Sequence, residues 1–348
     1  RDRTATMHDL SIYAAMLEAL RDPAMIVDGE ERIGVLNGPM RALAPSARTG
    51  DVLALALRSP DMLDAVRRVL KGAAAETVVW RELVPVERVF DVFVSPLGIA
   101  EGERCAVVTM RDLTDMRRME RMRVDFIANV SHELRTPLAS LLGFVETLQG
   151  PARDDPAARD RFLSIMAEQG RRMSRLIDDL LSLSRVEQRQ HLRPSASVEL
   201  VSIVRHVIDG LAPIAGERKV ALEFDAPEAL NLTGDRDELI RLAENLIGNA
   251  IKYGSLPDRS STVEVSITVS DAQARLRVRD HGAGITREHI PRLTERFYRI
   301  DTGASRANGG TGLGLALVKH ILMRHRGRLE IASNPGDGAC FDAWLPLS

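Results

Sequence analysis

The sequence is poor in cysteine, in aromatic side chains and in long apolar runs. Only two cysteines, Cys105 and Cys340, occur among 348 residues. This count excludes a disulfide framework or a cysteine-rich zinc site, and it predicts reduced thiols that pack as small apolar groups. No apolar run reaches the roughly 18 residues that would cross a bilayer, and no signal-peptide pattern occurs.

An excess of charge of one sign is also missing. Lys and Arg total 47 against 49 for Asp and Glu, so the formal net charge is −2. Long-range attraction to nucleic acid or to an acidic membrane surface is therefore not expected, and we predict no nucleic-acid partner. The length predicts two or three domains, each with its own core.

Residues 1–111 predict a small α+β domain. The segment "AMIVDGEERIGVLN" alternates around Asp28-Gly29 and is typical of a β-hairpin. The later segments "VERVFDVFVSPLG" and "CAVVTMRDLTD" predict two strands, and "DMLDAVRRVLKG" predicts a helix that ends at Gly72.

Residues 112–192 predict two long amphipathic helices. Apolar residues recur every three or four positions from Leu113 to Leu148 and again from Phe162 to Val186, separated by the helix-breaking "GPARDDPAAR". One helical hairpin cannot cover two apolar stripes, so we expect two copies of the chain to pair as a homodimer with a four-helix bundle. The alternative is that these helices pack on other domains of the same chain.

Residues 193–348 alternate helices and strands, which favours an α/β sandwich with helices on one face of the sheet. Within them, "DHGAGI" at 280–285 follows a strand, and "GGTGLGLAL" at 309–317 runs into a helix. Glycines allow close backbone approach and a helix N-terminus presents free N–H groups, so the pair predicts a cradle for an anion.

The segment "ENLIGNAIKY" adds polar groups on one helical face. Asn245 and Asn249 are four residues apart, with Lys252 and Tyr253 one turn further. Amide oxygens suit Mg²⁺ that keeps waters and substrate phosphates, a lysine suits phosphates, and a tyrosine ring offers a stacking surface. Alone, two such asparagines would simply face solvent; the downstream glycine motifs favour a nucleotide site.

These motifs, together with "ERFYR" at 295–299 and "FIANVSHELRTPL" at 126–138, occur in the order of the conserved boxes of sensor histidine kinases. The resemblance covers roughly residues 112–348, and the helical hairpin also resembles that of phosphate-regulon sensor kinases. It implies a multidomain α+β fold, in which residues 112–192 form the dimerisation and histidine phosphotransfer hairpin and residues 193–348 form a Bergerat-type ATP-binding domain.

The resemblance also implies residue roles around Mg²⁺ and ATP. Asp280 would bond the adenine amino group, Asn249 would coordinate the metal with support from Asn245, Lys252 and Arg299 would contact phosphates, and Tyr253 would stack on adenine. The backbone cradle would come from Gly282, Gly284, Gly310, Gly312, Leu313 and Gly314. Residues 301–308 would form a lid over the nucleotide. His281 stands where the family usually has asparagine.

His132 is the implied phosphoacceptor, because neutral imidazole is nucleophilic near pH 7. Glu133 would hold the proton of the other ring nitrogen, and Thr136 would position water for dephosphorylation of a partner; the alternative for Thr136 is a bond to a helix carbonyl. Pro137 leaves the Glu133 carbonyl without its helical partner, so a bend is expected there. The histidines outside these motifs, among them His320 and His325, are expected at the surface.

The first domain resembles a PAS sensor domain, in which the absence of histidine between His8 and His132 disfavours haem. We therefore predict the cytoplasmic portion of an inner-membrane sensor histidine kinase, with membrane contact only through segments outside this sequence. It would phosphorylate His132 from Mg²⁺-ATP, pass the phosphoryl group to an aspartate of a response regulator and dephosphorylate that regulator. The alternatives are a pseudokinase scaffold, a phosphatase-dominant regulator, or a chaperone-like or topoisomerase-like ATPase.

Overall fold

The computed structural model describes residues 12–82, 87–98, 104–255, 261–300 and 310–347. The chain divides into two compact units, Arg1–Asp125 and Phe126–Ser348. The first unit combines helices with a sheet, and the second unit combines a helical hairpin with an α/β sandwich. Both agree with the predicted α+β class.

The first unit is built on a five-stranded antiparallel sheet with the order β2-β1-β5-β4-β3. Its strands are β1 Ala24–Val27, β2 Ile33–Leu36, β3 Glu76–Glu82, β4 Arg88–Gly98 and β5 Arg104–Asp112. The predicted hairpin is confirmed, with Met25 opposite Leu36. Strand β3 was not predicted, and it forms the edge of the sheet beside β4.

Both faces of this sheet carry helices. Helix α1, residues 12–18, packs on one face, where Leu17 belongs to a small buried cluster that includes Cys105. The helices α2 Gly38–Leu43, α3 Leu53–Ala56 and α4 Pro60–Leu70 belong to the larger core on the other face. The predicted end of α4 near Gly72 is confirmed to within two residues.

The second unit begins inside helix α5, which runs Thr114–Gln149, and continues with α6 Pro156–Gln188. The two helices are the predicted hairpin, and Phe144 packs on Phe162 with ring centroids 5.1 Å apart. Helix α6 starts sharply because Pro156 follows an Asp155 side chain that accepts the Ala158 N–H at 3.0 Å. Helix α5 continues through Pro137; the expected bend there stays a prediction.

In the rest of the unit, the described residues form a sandwich of a sheet and the helices α7 Leu200–Glu217, α8 Arg236–Gly254 and α9 Gly314–Arg324, with a short 3-10 helix at Ile290–Arg292. The sheet order is β11-β12-β10-β9-β7, and only the β7–β9 pair is parallel. Its strands are β7 Val220–Asp225, β9 Ser261–Ser270, β10 Gln273–Arg279, β11 Arg328–Ser333 and β12 Ala339–Pro346. Two further strands, β6 Ser197–Glu199 and β8 Asn231–Thr233, form a separate pair.

Alternation along the strands explains why the helices lie on one face. In β10, Ala274, Leu276 and Val278 are fully buried, while the intervening arginines are accessible. On the accessible face Arg277 forms two hydrogen bonds of 2.7 Å to Asp342. Helix α7 continues past Pro213 to Glu217. Among the helices that the structure describes, none is both long and apolar enough to cross a membrane.

Candidate nucleotide site and phosphoacceptor helix

A cavity of about 760 Å³ opens between α8, the loop after β10, the loop before α9 and helix α6. Ten of the predicted ligand-binding residues line it together: Asn245, Asn249, Lys252, Tyr253, Asp280, Gly284, Arg299, Gly310, Gly312 and Gly314. Gly282 and Leu313 are the two that do not line this cavity. Gly282 donates its N–H to Asp280, and Leu313 is fully buried in the core at the start of α9.

Helix α8 presents its polar face to the cavity because its other face is fixed in the core. Leu242, Leu246 and Ile247 are almost completely buried. The helix starts at the N-cap Asp235, which accepts the Glu238 N–H at 3.3 Å. The Asn245 amide donates to the Arg241 carbonyl at 2.7 Å, which leaves its side-chain oxygen toward Gly314.

Lys252 and Tyr253 form a local pair at the end of α8. The Lys252 ammonium donates to the Tyr253 hydroxyl at 2.9 Å and lies 4.5 Å from the ring centroid. Tyr253 remains 47% exposed. The pair therefore offers both a cation and an accessible aromatic face at the cavity.

Asp280 is the buried acid of the site, with 4% of its surface exposed. It follows β10, and its Oδ1 accepts the Gly282 N–H at 2.9 Å and the Ala339 N–H at 3.3 Å. Burial raises the pKa of Asp280, while these two backbone donors act in the opposite direction. A carboxylate held in this way has a fixed direction, which suits recognition of a hydrogen-bond donor.

Two glycines are required by close contacts around the cavity. Gly284 has φ +72°, and a Cβ there would lie 2.0 Å from the Asn334 carbonyl oxygen. At Gly314 a Cβ would lie 2.2 Å from the Asn245 side-chain oxygen. A larger residue at position 284 would therefore displace the backbone at Asn334, whereas one at position 314 would push the Asn245 side chain out of place.

Helix α6 contributes cavity residues that the sequence analysis missed, namely Arg175, Asp178 and Asp179. The Thr311 hydroxyl donates to Asp179 Oδ2 at 2.8 Å. Burial raises the pKa of Asp179, opposed by the bond from Thr311. Nothing in the sequence motifs signalled this contact, because polar residues on a long helix ordinarily face solvent.

His132 is exposed on α5 and does not line the cavity. The Glu133 carboxylate beside it accepts a hydrogen bond from Arg172 of α6 at 3.0 Å, so this acid is engaged across the hairpin. The Thr136 hydroxyl donates to the His132 carbonyl at 3.2 Å, which is the helical role weighed as an alternative.

The prediction of a surface position was wrong for His325, which is only 3% exposed. Its Nδ1 donates to the Ile321 carbonyl at 2.8 Å, and its Nε2 accepts the Asp235 N–H at 3.0 Å. This pattern requires the neutral ring, and burial lowers the pKa of His325. His325 thus joins the end of α9 to the start of α8.

Two further expectations concern the nucleotide loop. His281 is exposed and bonds Glu264 at 2.8 Å rather than lining the cavity. The predicted lid, residues 301–308, lies outside the described residues.

Two protein families match the second unit. Residues 122–189 match the His Kinase A (phospho-acceptor) domain. Residues 234–348 match the histidine kinase-, DNA gyrase B- and HSP90-like ATPase domain. The exposed His132 thus falls in the first match and the cavity's glycine loops fall in the second.

Whole-protein relatives agree with both matches. The phosphate regulon sensor protein PhoR of Pseudomonas aeruginosa is 40% identical over 240 residues, which are 69% of this chain and 54% of that protein. The sensor-like histidine kinase SenX3 of Mycolicibacterium smegmatis is 36% identical over 246 residues, 71% of this chain and 63% of that protein. The chain therefore spans little more than half the length of these relatives.

Among solved structures, the histidine kinase ThkA, determined in complex with response regulator protein TrrA, shares the fold. It aligns with 96% of this chain and 98% of its own, at 18% identity and a TM-score of 0.52. Two matched domains in the same order as the motifs, and relatives that are themselves described as a phosphate regulon sensor protein and a sensor-like histidine kinase, lead to one assignment. The chain belongs to the sensor histidine kinases of two-component systems.

Proposed function

We propose that this chain transfers the γ-phosphoryl group of Mg²⁺-ATP to His132 and then to an aspartate of a response regulator. The observation that carries the proposal is the cavity in which Asn249, Lys252 and Asp280 converge with two glycine loops. The same compact unit carries an exposed histidine within the matched phospho-acceptor domain. The match to the ATPase family implies that ATP is the ligand.

The transfer follows from elementary chemistry at His132. The lone pair of one ring nitrogen attacks the γ-phosphorus, a nitrogen–phosphorus bond forms, and the bond to the bridging oxygen of ADP breaks. The proton on the other ring nitrogen can pass to the Glu133 carboxylate, which Arg172 holds in place. The resulting bond is labile, and this suits onward transfer to a carboxylate.

For nucleotide binding we propose the roles suggested by the family. Asp280 would accept from the adenine amino group, and Tyr253 would stack on the base. Lys252 and Arg299 would contact phosphates, and Gly310, Gly312 and Gly314 of the second glycine loop line the same cavity.

The donor set also fits Mg²⁺. No group of three or more His, Cys, Asp or Glu suited to a metal occurs among the residues that the structure describes. Mg²⁺ commonly takes few protein oxygens and keeps waters and phosphates, so Asn249, supported by Asn245, would suffice. When bound, the ion would neutralise charge on the phosphates during transfer.

We further propose that the hairpin pairs with a second copy of the chain. Several of its apolar side chains remain between 44% and 56% exposed, namely Ile127, Leu138, Leu142, Leu163, Ile177 and Leu181. Such a stripe on a two-helix hairpin is typical of half a four-helix bundle. The fold shared with ThkA, which was crystallised with a response regulator, supports a regulator as the other partner.

The domain organisation is also a proposal. Residues 1–111 would be a PAS-like sensor domain, 112–192 the phosphotransfer hairpin and 193–348 the ATP-binding domain. The end of β5 at Asp112, and of α6 at Gln188, supports these limits. The similarity to the phosphate regulon sensor protein PhoR supports a role in phosphate-starvation signalling, which we propose takes place on the cytoplasmic side of the inner membrane.

The test is incubation of the chain with Mg²⁺ and γ-labelled ATP, followed by acid and alkali. We expect an acid-labile, alkali-stable label that is strongly reduced in Asn249→Ala. Acid-stable label, or no label although ATP binds, would contradict the proposal and favour a scaffold.

The phosphatase activity rests on Thr136, which lies one turn from His132. Thr136→Ala should leave autophosphorylation near the parent level and slow the decay of phosphorylated regulator several-fold. Thr136→Ser, which keeps the hydroxyl, is the matched control. Equal decay rates with parent and Thr136→Ala would remove Thr136 from this role.

A further inference from the structure

The nucleotide cavity has a wall that the ATP-binding fold does not supply. Arg175, Asp178 and Asp179 of α6 line it together with the residues of α8 and α9. This part of α6 is anchored, because Leu176, Leu183 and Val186 are buried in the same core as the sandwich. A ligand in the cavity therefore meets the phosphotransfer hairpin directly.

Asp179 touches the glycine loop itself. Its Oδ2 accepts the hydroxyl hydrogen of Thr311 at 2.8 Å, and Thr311 lies between Gly310 and Gly312. The same hydroxyl oxygen receives the Leu313 N–H at 3.3 Å, at the start of α9. The carboxylate is thus connected to the loop where phosphates are expected.

The charges supplied by α6 oppose an anionic ligand. Two carboxylates, Asp178 and Asp179, stand against one guanidinium, Arg175. Arg241 of α8 also lines the cavity and partly offsets them. Asp179 is the half-buried member of the acid pair, whereas Asp178 is exposed, so the repulsion from Asp179 is screened less by solvent.

We propose that Asp179 sets the affinity of the cavity for nucleotide phosphates. Its carboxylate and the triphosphate compete for Thr311 and the adjacent loop, so triphosphate binding weakens the bond between α6 and that loop. By linkage, a hairpin arrangement that moves Asp179 away from the loop strengthens ATP binding by the same free energy by which ATP weakens the contact between Asp179 and the loop. The inference rests on the proposed function, since it assumes that the cavity binds ATP.

The first test compares the dissociation constants of Mg²⁺-ATP and of adenosine for the full chain and for Asp179→Asn. Asparagine keeps an acceptor for Thr311 but removes the charge. We expect ATP binding to tighten about three- to tenfold, with adenosine changed less than about twofold, because only the phosphates carry charge. The matched control is Asp160→Asn, an exposed carboxylate on the same helix outside the cavity, which should leave both constants unchanged.

An unchanged or weaker affinity of Asp179→Asn for ATP, or equal tightening for adenosine, would overturn the inference. A second measurement needs no variant: hydrogen exchange of the parent chain should become faster around residues 175–183 with Mg²⁺-ATP but not with adenosine. Identical exchange would also overturn it. The dissociation constants and the hydrogen exchange both report binding and not phosphoryl transfer. If they give the expected results but no histidine is labelled, the kinase proposal fails while the inference about Asp179 stands.

Discussion

His132 is exposed on α5, whereas the Asp280 carboxylate is buried and accepts hydrogen bonds from two backbone N–H groups. Under the proposed function, His132 would need access, because it would have to meet both the nucleotide and a partner protein. Asp280 would need a fixed direction and exclusion of water, because in that proposal it recognises one hydrogen-bond donor, the adenine amino group. In this proposal the accessible His132 accepts the phosphoryl group, and the preorganised cavity around Asp280 binds the nucleotide that supplies it.

Replacement of His132 should break this comparison most completely. His132→Ala removes the phosphoacceptor from an exposed helical position, so we expect all autophosphorylation to be lost while the fold is kept. Nucleotide affinity should stay within about twofold of the parent, since His132 does not line the cavity. Titration with Mg²⁺-ATP measures the affinity, and a labelling assay measures autophosphorylation. Label retained by His132→Ala would contradict the assignment of His132 as the phosphoacceptor.

Replacement of Asp280 should have the opposite pattern. Asp280→Asn can still accept the Gly282 and Ala339 N–H groups but turns a donor toward the adenine amino group, so affinity should fall about 100-fold. Calorimetric titration measures the loss. Circular dichroism of the variant is the control for folding, and an affinity near that of the parent would remove Asp280 from adenine recognition.

Paired glycine variants sharpen the contrast between the cavity and ordinary helix surface. Gly284→Ala places a Cβ against the Asn334 carbonyl at positive φ, and should destabilise the unit by about 3 kcal/mol. Gly210→Ala, on the open surface of α7, meets nothing within 4 Å, and should stabilise it by about 0.5–1 kcal/mol. Thermal unfolding without nucleotide compares them. Equal effects would show that the Gly284 turn is not constrained.

The smallest effect concerns the contact that His325 makes between the end of α9 and the start of α8, and it depends on pH. Because burial lowers the pKa of His325, the folded state takes up its proton less readily than the unfolded state, whose value is near 6.5. Stability should therefore be fully present above about pH 6.5 and decline as the pH falls, by at most about 1.4 kcal/mol per pH unit for one such proton. Urea unfolding at pH 5 to 8 measures the slope.

His325→Gln is the variant for that measurement. It should be less stable than the parent at pH 8 by about 1–2 kcal/mol, because the bonds to Ile321 and Asp235 are disturbed. Its decline toward pH 5 should be flatter. Part of the slope should remain, because burial also lowers the pKa of His320. A variant with the parent's slope would show that His325 titrates alike in both states.

The residues that were predictable share one property, a local pattern with a physical reason. Asn249 lies four residues from Asn245 on one helix face, and Gly284 follows an acid at the end of a strand. To predict that these residues converge in one cavity, only the order of the strands and helices had to be known. The two long helices were likewise predictable from apolar spacing.

The features that were not predicted from the sequence depend on tertiary contacts. Asp179 meets Thr311 across 132 positions in sequence, and its neighbours on α6 look like an ordinary polar face. His325 was expected at the surface because it lies in a polar segment without a motif. Instead Arg324 pairs with Asp235 at 3.1 Å, and the buried His325 accepts the Asp235 N–H. Edge strand β3 was missed, although it packs Trp80 on Phe90.

The most direct test of the division between acceptor and cavity is to locate the phosphoryl group. The intact chain would be incubated with Mg²⁺-ATP, digested at neutral to alkaline pH and sequenced by tandem mass spectrometry. We predict phosphorylation of His132 in the peptide around "NVSHELR", absent when Asp280→Asn is incubated at an ATP concentration that only the parent can bind. Phosphorylation at another residue, or at His132 regardless of Asp280, would contradict the account.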